Sequence, residues 1–207
     1  MKKNQSVIAY CHIKNNAVTL NGNTVLLKDS QIPFAKFSKQ VYKEKGLAYP
    51  KFFKMDNLSK LAFLAAEFLL ENNTINPKDK ENIAIVLSNK SASLDTDRRH
   101  QETINDIENY YPSPAVFVYT LPNIAIGEIS IRHRIKGENA FFVSNNFNEK
   151  LMEQYALSLI QNEKSKHILC GWVDFDDDNY HAFMYLVAEE GDYNYSQEFI
   201  KKIYNEN

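Results

Sequence analysis

The sequence predicts an α/β fold, in which a mixed, mostly parallel sheet is covered by helices. Short apolar runs alternate along the chain with segments in which apolar residues recur every three or four positions. This is the pattern of strands packed against amphipathic helices. The chain has 207 residues, 44% of them hydrophobic, which is enough for one well-packed core and leaves little room for a second. We therefore expect residues 1–207 to form a single domain.

The first third of the chain contains strand and helix patterns in turn. Residues 7–12 and 17–20 have the alternating composition of short strands. Residues 31–50 mix lysines with aromatic residues, so we expect loop and a short helix there. A helix pattern begins after Asp56, whose carboxylate can cap the first turn, and Asn72-Asn73 should end it.

The middle of the chain is less regular. The unbroken apolar run Ile83–Leu87 predicts a strand that is buried on both faces, as in a parallel sheet. A polar loop over residues 88–97 and a helix over residues 98–110 should follow it, whereas residues 115–136 have mixed character.

The last third restores the alternation and contains the first candidate site. Strands are predicted over residues 140–143, 167–172 and 181–188, with helices over 149–161 and 199–204. The strand before the first of these helices ends in Ser144, Asn145 and Asn146. A strand, a tight turn and a helix in this order are how many α/β enzymes present a nucleophile.

Composition excludes several classes of function. The formal net charge of −2 gives no reason to expect binding to nucleic acid or to a membrane surface. Apolar runs such as Phe183–Ala188 are too short to cross a bilayer. The first residues lack the pattern of a signal peptide, so we expect a cytoplasmic protein.

No metal or cofactor site is expected. The five histidines are scattered, and neither a paired-cysteine motif nor a nucleotide-binding motif is present. The acidic stretch over residues 174–178 lacks the spacing of a calcium loop, which favours a solvated turn over a weak cation site. Cys11 and Cys170 lie in apolar segments and are interpreted as small core residues.

Seven segments form an ordered pattern along the chain: Lys54–Glu67, Ile83–Asn89, Ser93–Asp97, Pro112–Asn123, Gly127–Ile131, Gly137–Asn139 and Leu169–Asp174. Read together, they resemble the amino-terminal half of the β-ketoacyl synthases (3-oxoacyl-ACP synthases), and the shorter relatives of these enzymes match best. The resemblance is clearest over residues 55–174.

The resemblance implies a thiolase-like fold, of which this chain would form one half. It also implies a nucleophilic cysteine on a turn between a strand and a helix, where the helix dipole favours a thiolate. The family pattern places that nucleophile at or next to Asn146, and this chain has no cysteine there. The turn Ser144–Asn146 therefore resembles a vacated nucleophile site. Residues 189–207 should hold only one short helix, so the histidines of the family's second half have no positions here.

What the resemblance implies for function is a non-catalytic subunit. Family members without the cysteine act as chain-length partners, so we expect support of fatty-acid, polyketide or aryl-polyene chain assembly by pairing with an active synthase, an acyl carrier protein or both. An apolar strand over residues 140–143 at an open sheet edge would promote aggregation unless it is covered. This predicts a homodimer, or a heterodimer with a complete ketoacyl synthase.

Two other functions remain open from the residues. An acyl-transfer or malonyl-decarboxylating enzyme could use the turn at 144–146, either with Ser144 as nucleophile or with backbone donors that stabilise an oxyanion. Ser144 lacks the Gly-x-Ser-x-Gly elbow, and a cap at the helix entry is the simpler interpretation. A small acyl-ligand binding module would use the former acyl pocket.

The arginines suggest a candidate contact. All four, Arg98, Arg99, Arg132 and Arg134, fall in the middle of the chain, while lysines are spread throughout. Guanidinium groups suit phosphate and carboxylate partners, and acyl carrier proteins are acidic and carry a phosphopantetheine arm. Internal or interfacial ion pairs would explain the four arginines equally well.

Overall fold

The computed structural model describes residues 5–71, 75–108 and 110–206, without the side chains of residues 77 and 78. Its strands are β1 (Ser6–Lys14), β2 (Ala17–Leu20), β3 (Asn23–Leu27), β4 (Ala84–Asn89), β5 (Asn139–Val143), β6 (Ile168–Asp176), β7 (Asn179–Ala188) and β8 (Tyr193–Asn194). Its α-helices are α1 (Phe34–Glu44), α2 (Asn57–Leu70), α3 (Pro77–Lys80), α4 (Leu94–Glu102), α5 (Pro114–Phe117), α6 (Ile124–His133), α7 (Glu149–Gln161) and α8 (Gln197–Tyr204), and Pro50–Lys54 forms a 3-10 helix.

One sheet holds the strands in the order β3-β2-β1-β7-β6-β4-β5, and β8 pairs with the beginning of β1. β4 runs parallel to both of its neighbours, β5 and β6. The remaining pairs are antiparallel. The α/β fold with a mixed sheet is confirmed, but the parallel part is smaller than predicted. Two-residue turns follow β1 and β6, and such turns can join only antiparallel strands.

Both of these turns are built from residues that tolerate a left-handed backbone. Asn15 and Asn16 have φ values of 50° and 56°, and Asp177 and Asp178 have φ values of 49° and 65°. Two successive positive φ values are typical of the type I′ turn, whose twist matches that of the strands. The side chain of Asp178 also accepts a hydrogen bond from the Phe34 backbone N–H at 3.0 Å, and so caps α1. The end of the acidic stretch is thus a hairpin turn that anchors a helix.

Helices cover both faces of the sheet. α1, α2 and α6 pack on one face, where Leu61, Ala62 and Ala65 of α2 are fully buried. α7 and α8 pack on the other face, where Met152, Ala156 and Ile200 are fully buried. Within the described ranges, no helix is both long and apolar enough to cross a membrane.

The start of α2 is as predicted, because Asp56 caps it: one carboxylate oxygen accepts from Ser59 N at 2.9 Å. The other oxygen accepts from the Thr96 hydroxyl at 3.0 Å, which ties α2 to α4. Burial raises the pKa of this carboxyl. α2 runs to Leu70, and the predicted stop at Asn72-Asn73 lies outside the described residues.

Two predictions from the middle of the chain need correction, and one strand in the first third was not predicted. α4 covers Leu94–Glu102 rather than residues 98–110, because the Asp106 side chain accepts from Glu108 N at 2.9 Å and stabilises a bend there. The mixed segment 115–136 contains α5 and α6. β3 was not predicted, since most of its residues are exposed and it lacks an apolar face.

Two histidines fasten α8 to the sheet. His12 Nε2 lies 2.9 Å from the Ile203 carbonyl, which can only accept, so Nε2 carries the proton. His12 Nδ1 then accepts from His181 Nε2, 3.1 Å away. Burial lowers the pKa of His12 to about 4 and that of His181 to about 3. Both rings are therefore neutral near neutral pH.

We expect the free energy of unfolding to fall as the pH decreases from about 7 to about 5.5. In the unfolded chain these histidines titrate near pH 6.5, while in the folded chain they stay neutral, so the unfolded state binds more protons in this window. The stabilisation is nearly complete at pH 7 and decreases through the unfolded-state pKa near 6.5, by about 2–3 kcal/mol for the two histidines together at pH 5.5. Urea unfolding at several pH values measures this slope. His181→Gln should reduce the slope, and an unchanged slope in that variant would contradict the prediction.

Candidate functional site

The turn Ser144–Asn146 lies between the edge strand β5 and helix α7, at the carboxyl ends of the parallel strands. β5 pairs with β4 up to the match of Val143 with Asn89. The Ser144 N–H then donates to the Asn89 carbonyl at 2.9 Å. Gly137 allows the chain to enter β5, because a Cβ at this position would lie only 2.3 Å from the Ile83 carbonyl oxygen. Carboxyl ends of parallel strands are the usual location of ligand sites in α/β sheets.

Helix α7 begins where predicted because the chain provides a cap. The Asn148 side chain accepts from Leu151 N at 2.9 Å, and the Asn148 carbonyl accepts from Met152 N at 3.1 Å. Glu149 adds a carboxylate to the first turn, which the helix dipole favours. Two of the N–H groups at the helix start therefore already have partners within the chain.

The turn is open to solvent and its side chains are polar. Asn145 and Asn146 are exposed, and Ser144 is half-buried. The Ser144 hydroxyl donates to the Asn146 carbonyl at 2.8 Å. Residues 144–150 and Gln197 line an open depression of about 340 Å³ here. The turn thus contributes two amides and a hydroxyl that is already engaged, and the rest of the lining adds two further amides, a carboxylate and an ammonium group.

Aromatic rings fill the space behind the turn. Phe147 is buried, and its ring centre lies 4.6 Å from Tyr204, 5.5 Å from Phe183 and 6.3 Å from Trp172. Tyr204 belongs to α8, so the carboxyl-terminal helix packs directly against the residue that follows the turn. These contacts fix the backbone at the base of the depression. Sequence reasoning missed this role of α8, because Phe147 and Tyr204 are far apart in the chain.

Both cysteines lie away from the turn, as expected for core residues. Cys11 is in β1 and Cys170 is in β6, and both are fully buried. Burial raises the pKa of both thiols, that of Cys170 to about 12. A thiolate nucleophile is therefore absent from the turn and disfavoured at both cysteines.

Next to the turn, the loop after β4 is held by a carboxylate. Asp174 Oδ1 accepts from Lys90 N at 3.1 Å and from Ser91 N at 2.8 Å. The Ser91 hydroxyl donates to Asp174 Oδ2 at 3.3 Å. Asp174 thus joins the ends of β4 and β6, a role the sequence analysis did not assign. The small residues of Ser88–Ser93 were the available signal, since a carboxylate can approach the backbone of such a loop closely.

The four arginines do not form one surface. Arg98 makes an ion pair with Asp176 at the carboxyl end of β6, and Arg99 is exposed beside it. Arg134 lies near the opposite, amino-terminal ends of the parallel strands. There the neighbouring Lys136 N donates to Glu81 O just before β4. A single partner surface that includes all four would have to span the length of the strands.

Arg132 is committed within the fold. Its Nε lies 2.7 Å and its Nη2 lies 3.2 Å from the carboxylate of Glu67, which is 1% exposed. His133 Nε2 lies 3.1 Å from the same carboxylate. Burial alone would raise the pKa of Glu67, but the hydrogen bonds from His133 and Arg132 lower it to about 2. This group ties α6 to α2.

In the part of the chain that the structure describes, no three side chains of the metal-ligating types lie together. The acidic stretch instead consists of carboxylates with separate partners: Asp174 binds the β4 loop, Asp176 pairs with Arg98, and Asp178 caps α1.

Comparison with known proteins gives matches in structure only. No family model matches the sequence, and no curated protein matches it in sequence. Among solved structures, the ishigamide ketosynthase/chain length factor matches with a TM-score of 0.65 and 16% identity, over 89% of this chain and 62% of that chain. The ketosynthase ApeO in complex with its chain length factor ApeC, from Xenorhabdus doucetiae, matches with a TM-score of 0.59 and 14% identity, over 92% of this chain and 81% of that chain.

A third structure, AntDE:AntF, contains a type II PKS acyl-carrier protein in complex with its ketosynthase. It matches with a TM-score of 0.60 and 14% identity, over 97% of this chain and 66% of that chain. These matches confirm the thiolase-like fold that the sequence resemblance implied. The chain spans less than two thirds of the length of the first of these structures and most of the matched chain from ApeO–ApeC.

We expect the native chain to be inert to thiol reagents, whereas Asn146→Cys should take up one equivalent within minutes. The two natural thiols are fully buried, and position 146 is exposed near the start of a helix. Titration with a chromogenic disulfide reagent measures the uptake. Ser144→Cys is the matched control and should react more slowly, because position 144 is half-buried. Equal reactivity of the wild-type chain would show that the cysteines are accessible.

Proposed function

We propose that this protein is a non-catalytic subunit related to the ketosynthases. It would support fatty-acid, polyketide or aryl-polyene chain assembly in the cytoplasm by pairing with an active synthase, an acyl carrier protein or both. One observation carries the proposal: the strand–turn–helix at Ser144–Asn146 is retained, but it offers no thiol, and both cysteines are buried elsewhere. A scaffold of this kind without its nucleophile suits a partner better than an enzyme.

The contacts of Ser144 argue against acyl transfer by the turn. A serine nucleophile needs a neighbouring base to take its proton. The described contacts of the Ser144 hydroxyl consist of one hydrogen bond, to the Asn146 carbonyl. The N–H groups of Ser144, Leu151 and Met152 are engaged as well, which reduces the donors left to stabilise an oxyanion.

The structural neighbours supply the kind of partner. Two of them are named as a ketosynthase with a chain length factor, and another as a ketosynthase with its acyl-carrier protein. We extend this pairing to the present chain. The match to a chain of the ApeO–ApeC complex covers 81% of that chain, which supports a short chain in the role of the companion.

The outer edge of β5 supports pairing through a strand. Ile85 N donates to Glu138 O at 3.0 Å, and Ser144 N donates to Asn89 O, so residues 138 and 144 face β4. Because the direction of backbone groups alternates along a strand, Asn139, Phe141 and Val143 point their N–H and C=O groups away from the sheet. An unpaired edge of this kind is a template for another strand.

Exposed apolar side chains lie on β5 and in the α5 region. Val143 is 57% exposed on the edge strand, and Phe117 is 61% exposed at the end of α5. Val118 and Leu121 are also exposed in the segment that follows α5. Groups of large exposed apolar side chains are typical of protein interfaces, so the edge strand and the α5 region are each candidates for contact with a partner.

We expect Val143→Pro to weaken pairing with the synthase, or with a second copy, by about 10- to 100-fold. Proline removes one outward N–H and places a ring on the edge, while the hydrogen bonds to β4 come from the even-numbered residues. Sedimentation velocity and co-purification measure the effect. Val25→Pro is the matched control, since Val25 is an exposed apolar residue at a bulge in β3, at the other edge of the sheet. Equal loss in both variants would argue against the β5 edge.

Incubation with malonyl- and acyl-carrier protein should produce neither an acylated chain nor released carbon dioxide. The physical reason is the absence of an activated nucleophile at the turn. Intact-mass spectrometry and a carbon dioxide assay test this. An acyl adduct that disappears in Ser144→Ala would contradict the proposal and support an acyl-transfer enzyme.

A further inference from the structure

The outer face of α1 carries a stripe of lysines. α1 buries Phe34, Phe37 and Val41 against the sheet. Lys36, Lys39 and Lys43, spaced three and four positions apart, lie on one exposed side of the helix. The stripe is therefore about 10 Å long, at 1.5 Å per residue. It is a concentrated positive surface on a chain whose formal net charge is −2.

These three lysines differ from others in the same region. Lys28 pairs with Glu44, Lys45 pairs with Glu71, and Lys51 pairs with Glu128 at 2.9 Å. In the described residues, no carboxylate lies within ion-pair distance of Lys36, Lys39 or Lys43. The nearby acids are thus used elsewhere, and the charge of the stripe remains available to a partner.

The surface beyond α1 carries charges of both signs. Lys60 of α2 is half-buried, and its pKa is lowered by burial, raised by the Asp56 carboxylate, and lowered by Arg99 and Lys39. Arg99 is exposed on α4, where Asp95 is an acidic neighbour. The positive surface is therefore confined to the three lysines of α1.

An apolar residue lies beside the stripe. Phe53, in the 3-10 helix, is 51% exposed, and its ring centre is 4.9 Å from that of Tyr42, the residue before Lys43. Protein interfaces commonly place an aromatic anchor inside a rim of charged residues. The combination of Phe53 with Lys39 and Lys43 has this form.

We propose that this α1 surface, formed by Lys36, Lys39, Lys43 and Phe53, docks an acidic helix of the acyl carrier protein. The inference rests on the proposed function, which supplies this partner, and it replaces the four-arginine contact with a different surface. Opposite charges steer the two proteins together and set their orientation. An acidic helix with two turns of carboxylates matches the length of the stripe, and an apolar residue on that helix would meet Phe53.

The extent of the surface favours a small acidic protein over a polyanion. Nucleic acid gains affinity from many phosphate contacts along an extended positive surface, and anionic membranes attract clusters of several basic residues beside an inserted apolar face. Here the positive stripe ends at Lys43, because the next residue, Glu44, is a carboxylate paired with Lys28, and Lys45 is neutralised by its ion pair with Glu71. A long polyanion would extend past the stripe onto a chain of net negative charge.

The test is titration of fluorescent phosphopantetheinyl carrier protein with the full chain bound to its synthase, at about 50 mM and about 200 mM salt. Lys36→Glu/Lys39→Glu/Lys43→Glu should weaken binding about tenfold at the lower salt and remove most of the salt dependence. Phe53→Ala should weaken binding by a similar factor and leave the salt dependence unchanged.

The matched control is Lys166→Glu/Lys201→Glu/Lys202→Glu, three exposed lysines outside α1 that give the same change in net charge. Equal weakening in the two triple variants would mean that only net charge matters and would overturn the inference. Loss of binding to duplex DNA or anionic vesicles, with carrier binding retained, would overturn it too. If the α1 triple variant does not show a native thermal transition, Lys39→Glu alone is compared with Lys201→Glu alone.

Synthase pairing is measured on the same variants by co-purification. The α1 variants should still pair, because β5 is unchanged. If the wild-type chain pairs with no synthase, the subunit proposal fails, while titration of carrier protein with the chain alone still decides the role of α1.

Discussion

The parallel pairing of β4 with both β5 and β6 is the constraint on which the rest of the fold depends. All six residues of Ala84–Asn89 are buried, so this strand has to be covered on both faces and paired on both edges. Parallel neighbours require crossover connections: α4, α5 and α6 lie between β4 and β5, and α7 lies between β5 and β6. These crossovers bring the loop after β4, the turn after β5 and the carboxylate of Asp174 together at the carboxyl ends of the parallel strands.

How much the sequence could predict depended on whether the signal was local. α2 and α7 have caps and apolar periodicity within their own residues, so their extents were close to those observed. α6 starts without a side-chain cap and contains Gly127 and several isoleucines, so residues 115–136 lacked a clear period. The turn at 144–146 was predictable because strand, turn and helix follow one another. The partners of Arg132 and Asp174 were not, since Glu67 and Ser91 lie 65 and 83 positions away.

The candidate site combines an intact support with an inert surface. The hydrogen bonds of Asn89 and Asn148 and the rings of Phe147 and Tyr204 hold the turn in place. The side chains that the turn exposes are two amides, which are poor nucleophiles. A fixed turn without a reactive group is consistent with a structural role, in which it holds β5 and its neighbours in position as a binding surface for another chain.

The free edge of β5 has a further consequence for how such a protein would be used. The outward backbone groups of Asn139, Phe141 and Val143 can pair with a single strand. If the register of that strand shifted by one residue, it would face backbone groups that already bond to β4. A second copy of this chain and a synthase would therefore compete for the same binding site, the outer edge of β5. The relative amounts of this chain and of the synthase in the cell would then decide how many mixed dimers form. Overproduction of this chain would convert the excess into homodimers.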